Sequence, residues 1–114
     1  MKAIPFTAVL LVLLVSAGCR SRVVQVNLIN TSQQTISTII VDYPNATFGV
    51  NTLAPGKSFL YSIKPLETGA LKIQFTNAQG VKHTSYGPML HKGDEGSIQV
   101  KLTQDFAKPE PTLK

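Results

Sequence analysis

From Arg22 onward the chain alternates apolar and polar residues with a period of two, the signature of strands that bury one face. Val24, Val26 and Leu28 alternate with Gln25 and Asn27, predicting a first strand over 22–29. A polar turn, 30–34, leads to a β-branched stretch over 35–43, with Ile39, Val41 and Tyr43 on one face and Ile40 on the other. Pro44-Asn45 ends that strand, because proline cannot donate to a ladder and asparagine favours turns. A weaker strand of edge character follows around Phe48 and Val50.

Ala54-Pro55-Gly56-Lys57 then fits a type II turn: proline sets φ at the second position and glycine supplies a positive φ at the third. Phe59, Tyr61 and Ile63 alternate after it, and 65–69 is a loop. Leu71, Ile73 and Phe75 alternate with Lys72 and Gln74, and Gly80 is placed to close the next turn with a positive φ. A strand over 81–86 is expected to stop at Gly87-Pro88, leaving 89–96 as a glycine-punctuated loop. Ile98, Val100 and Leu102 mark the last strand. Residues 104–114 hold two prolines, few apolar residues and no period, and are expected to be a disordered tail.

Short strands at this regular spacing predict an all-β domain over 23–103. The expected form is a single antiparallel β-sandwich of about seven strands, immunoglobulin-like in size. The Cys…Trp…Cys core of antibody domains is absent, since the chain has one cysteine and no tryptophan.

Ahead of this domain the pattern changes. Residues 3–17 carry no charge, Met1-Lys2 gives a short positive start, and small residues follow, which is the anatomy of a secretory signal peptide over 1–18. As a helix the run would span roughly 22 Å, short of the ~30 Å hydrocarbon core, so a permanent span is disfavoured. Its end, Ser16-Ala17-Gly18-Cys19, resembles the lipobox of bacterial lipoproteins, although that family most often has Leu where Ser16 stands.

The resemblance implies a diacylglyceryl group on the Cys19 thiol, cleavage between Gly18 and Cys19, and usually acylation (palmitate, for example) of the new amine. Residues 19–22 then form a lipidated tether. Two or more acyl chains hold a protein stably in a bilayer. Arg20, where an Asp would favour inner-membrane retention in Gram-negative lipoproteins, implies the outer membrane, with the domain facing the periplasm, if the organism is Gram-negative. Ser16-x-Gly18 also suits ordinary signal peptidase, which would release a soluble protein. The Leu53-Ala54-Pro55-Gly56 turn before a strand is similar to small domains of envelope lipoproteins, a likeness that carries no known activity.

Composition adds exclusions. The net charge of +5 is spread singly along the chain, unlike the gathered basic face of a nucleic-acid binder. With one cysteine at the lipobox, no disulfide is available and the core rests on apolar burial. No nucleophile, base and orienter occur in a recognisable context, so no enzyme activity and no cofactor are expected. Asp94-Glu95 fits a charged hairpin tip. Tyr86 is the one aromatic that the pattern leaves outside. His83, Met89 and His91 fall within nine residues and offer imidazole and thioether ligands suited to copper. Two readings remain: a non-catalytic binding module, membrane-held through Cys19 with an envelope protein or polymer as partner, or an envelope copper protein built on that trio.

Overall fold

The computed structural model describes residues 22–114, so the 1–18 segment and Cys19 lie outside the described residues. Eight strands form: β1 (Val24–Asn30), β2 (Ile36–Tyr43), β3 (Ala46–Leu53), β4 (Ser58–Ile63), β5 (Gly69–Thr76), β6 (Lys82–Leu90), β7 (Gly96–Leu102) and β8 (Ala107–Leu113). They make two four-stranded sheets, ordered β4-β1-β7-β8 and β3-β2-β5-β6. Every pairing is antiparallel except β1 with β7, which run parallel. The described residues are thus all-β, compatible with a β-sandwich.

The alternating residues do what their period requires. Val24, Val26 and Leu28 from β1, and Ile98, Val100 and Leu102 from β7, are fully buried. Leu71, Ile73 and Phe75 from β5 meet them from the second sheet in one core. Lys57 N donates to Ala54 O at 3.0 Å, closing the turn whose Gly56 has φ +73°, and Gly80 likewise has φ +81°. Both conformations would strain a side chain.

Two expectations are corrected. The stretch 104–114 is not a disordered tail throughout: Ala107–Leu113 pairs antiparallel with β7 as the eighth strand, extending the domain beyond 103. Proline is tolerated there because β8 is an edge strand and its outward amides need no ladder partner. For the same reason Gly87-Pro88 does not end β6, the edge strand of the other sheet; the β5–β6 register shifts around it and the strand runs on to a fully buried Leu90. Within β2, Ile36 and Ile39 are both buried although three apart. A bulge against β5 lies between Ser37 and Ile40, and Thr38 takes φ +48°, which restores the inward phase.

Strand direction sorts the connections into two ends. The start of β1 shares one end with the β2–β3 turn and the β4–β5 and β6–β7 loops; Leu66 N donates to Asn45 Oδ1 there at 3.1 Å. The β1–β2, β3–β4, β5–β6 and β7–β8 connections occupy the other end.

Candidate functional site

The proposed copper ligands do not converge. His83 lies near the start of β6 and Met89 near its end, so six residues of strand rise, about 20 Å, separate them. His83 is also occupied. Asn77 Oδ1 accepts from the backbone amides of Gln79 at 3.0 Å and Val81 at 2.9 Å, which fixes the orientation of its amide. Its Nδ2 therefore points at His83 Nε2, 3.2 Å away, and the imidazole nitrogen must accept. The His83 ring stacks on Phe75 with centroids 5.4 Å apart. Met89 is exposed, and the His91 backbone amide donates to Asp94 Oδ2 at 2.8 Å. No group of three His, Cys, Asp or Glu side chains suited to a metal occurs among the described residues. Asp94 and Glu95 lie in the β6–β7 connection, which crosses from one sheet to the other and is not the hairpin tip expected.

His83 instead belongs to a polar pole at the end away from the chain's entry into the domain. Asn77 Nδ2 donates to Gln104 O at 3.0 Å, Gln104 Nε2 to Ser32 Oγ at 2.8 Å, and Ser32 Oγ to Asn30 Oδ1 at 2.7 Å. Asn30, fully buried, donates to Leu53 O at 2.8 Å. Side-chain amides thus bind three loops to one another, and among the described residues no buried side-chain polar atom lacks a partner. A satisfied network of this kind fixes the loops that it joins. Beside it, on the outer face of the β2–β5–β6 sheet, Thr38, Gln74, Thr76, Lys82 and Thr84 line a depression of about 90 Å³. That is well below the ~300 Å³ of ordinary ligand pockets.

The two flanks of the domain, where edge strands of the two sheets meet, differ more sharply. On one, β6 and β8 approach and Ala107 N donates to Ser85 Oγ at 3.1 Å. Thr103 N donates to Phe106 O, so by antiparallel alternation Ala107, Pro109, Pro111 and Leu113 turn their amide positions away from β7. Proline has no N–H at two of these positions, and Ser85 takes a third. Little remains for another strand to bind.

On the other flank, β3 and β4 are joined by aromatic rings. Phe48 stacks on Tyr61 at 4.3 Å between centroids, with Phe59 and Tyr43 each 6.4 Å from Phe48. Burial, with a smaller contribution from Tyr61, raises the Tyr43 phenol above its ordinary value. Neither β3 nor β4 contains a charged residue or a proline. Leu60 is 58% exposed and Tyr61 40%.

No family model and no curated protein matches the chain. It is similar to the NMR structure of a protein from Eubacterium rectale, at 19% sequence identity and a TM-score of 0.60, over 78% of this chain and 87% of that one. That likeness concerns the fold alone.

Sequence patterning missed the β3–β4 flank as a surface because Phe59 and Tyr61 have the period of core residues. They do face inward, but β4 is the last strand of its sheet, so the rings reach the rim. The absence of charge and proline over Ser58–Ile63 was the available signal.

Proposed function

We propose that this chain is a lipid-anchored protein of the bacterial envelope that works as a non-catalytic binding module for a protein or polymer partner. Ser16-Ala17-Gly18-Cys19 supports the anchoring, and in a Gram-negative host Arg20 supports an outer-membrane address with the domain in the periplasm. We also read the two-sheet domain as immunoglobulin-like in size and build. Only Arg20-Ser21-Arg22-Val23 separate Cys19 from β1, a reach of at most about 18 Å. Such a tether holds the domain close to the bilayer, with the polar pole pointing away and both flanks open sideways.

The observation that carries the binding role is the unguarded β3–β4 flank. Edge strands are normally blunted by charge, proline or bulges, as on the opposite flank, because a bare edge recruits other strands. An edge left bare on one side and blocked on the other supports use of the bare side.

Fractionation of cells producing the Cys19→Ser variant tests the anchoring. The variant is expected in the soluble fraction or as an uncleaved precursor. A variant that is processed and membrane-bound like the parent chain contradicts it.

A further inference from the structure

We propose that β4 receives an extended peptide by strand addition, and that this peptide is uncharged in its centre and carries carboxylates about seven residues apart. The inference rests on the binding-module reading and names the partner's chemistry.

Hydrogen-bond alternation decides which β4 groups are available. Asn30 N donates to Lys57 O at 2.9 Å, which puts residues 30 and 57 in a hydrogen-bonded pair. Continuing the unbroken β1–β4 register, Phe59, Tyr61 and Ile63 turn their backbone groups to β1. Ser58, Leu60 and Ser62 therefore direct N–H and C=O outward, where β4 has no neighbouring strand among the described residues. Three evenly spaced donor–acceptor sites on an unbulged strand are what an added strand pairs with. The β3 edge is poorer: Gly49 interrupts its side-chain row, and the Asp42 carboxylate bonded to Thr47 Oγ1 would repel an acidic partner.

Charge selects the occupant. Lys57 and Lys64, both exposed, stand at the two ends of the uncharged β4. Their separation along the strand is about 23 Å. The outward side chains of the adjoining β1, Gln25 and Asn27, are neutral. A second copy paired about a two-fold axis through Leu60 would bring the Lys57 of each chain toward the Lys64 of the other, a like-charge contact. A strand with carboxylates at matching ends meets attraction at both. Leu60 and Tyr61 supply apolar contacts on the two faces of the added strand.

The test uses the full chain in detergent and a labelled peptide, Glu-Thr-Val-Thr-Val-Thr-Val-Glu, beside its lysine-ended counterpart. The acid-ended peptide is expected to bind roughly tenfold more tightly, as two exposed ion pairs replaced by two repulsions allow. The Lys57→Glu, Lys64→Glu double variant should reverse that preference. Leu60→Pro, which removes an outward N–H and no bond to β1, should weaken binding at least about tenfold. Equal affinity for the two peptides, or a charge-reversed variant with unchanged preference, overturns the proposal even where Leu60→Pro fails to fold. Photocrosslinkers placed at Leu60 and Tyr86 in intact cells separate this failure from failure of the broader reading. Adducts at Tyr86 alone discard β4 and keep the module. A chain-to-chain adduct from Leu60 replaces the peptide with a second copy. Adducts at neither position remove the module reading itself.

Discussion

The β6–β8 flank and the β3–β4 flank solve the same geometrical problem in opposite ways. Both close the gap between two sheets, and both end in strands with one unpaired side. Along β8 the unpaired side has lost three of its four donors, to Pro109, Pro111 and the Ala107–Ser85 bond. Along β4 every outward donor and acceptor is kept, and apolar rings are stacked beneath. The difference teaches that edge protection is chosen strand by strand, and that a missing guard is as informative as a catalytic motif.

Removing the aromatic closure should give the largest effect. Phe48→Ala is expected to cost about 3–5 kcal/mol in denaturant titration, as for other deleted core rings. Phe106→Ala, on the half-exposed β7–β8 loop, should stay within about 0.5 kcal/mol. Comparable losses at both would erase the distinction between the flanks. Ser85→Ala comes next: it leaves the Ala107 amide without its acceptor and should cost about 1 kcal/mol by the same titration.

The phenols sharpen the contrast through pH. The unfolded Tyr43 titrates near 10.0, and the folded value is raised by burial and then by Tyr61. Its contribution is therefore fully present below pH 10.0 and is lost as pH rises from there through the raised folded value. Alkaline unfolding curves should show this loss in the parent chain and a smaller one in Tyr43→Phe. A variant with the same alkaline slope would remove Tyr43 from the account. The smallest stability effect belongs to Leu60→Thr, within about 0.5 kcal/mol, since that side chain faces solvent. The same substitution should nevertheless weaken binding of the acid-ended peptide's valines to the edge, measured by fluorescence anisotropy.

Legibility followed locality. Leu71, Ile73 and Phe75 were readable because period two is a property of consecutive residues, and the turn at Gly56 was readable because proline and glycine constrain their own φ. The β8 strand was not, because its prolines suit only an outward-facing edge, and nothing local says which strand is an edge. Thr38 was hidden for a related reason: its positive φ compensates the spacing of Ile36 and Ile39, a need imposed by β5. The pole joining Asn30, Asn77 and Gln104 depends on residues far apart in the chain, each of which alone resembles an ordinary turn residue. The His83, Met89 and His91 trio misled because closeness in sequence along a strand becomes distance in space.

Residue-resolved hydrogen exchange of the full chain, with and without saturating acid-ended peptide, tests most directly whether the β4 edge is the working one. The Leu60 amide should gain strong protection, with Ser58 and Ser62 following, while Phe59 and Tyr61, already bonded to β1, and Ala107, already bonded to Ser85, change little. Protection appearing at Thr47, Gly49 and Asn51 or at Leu113, with none at Leu60, would contradict the account.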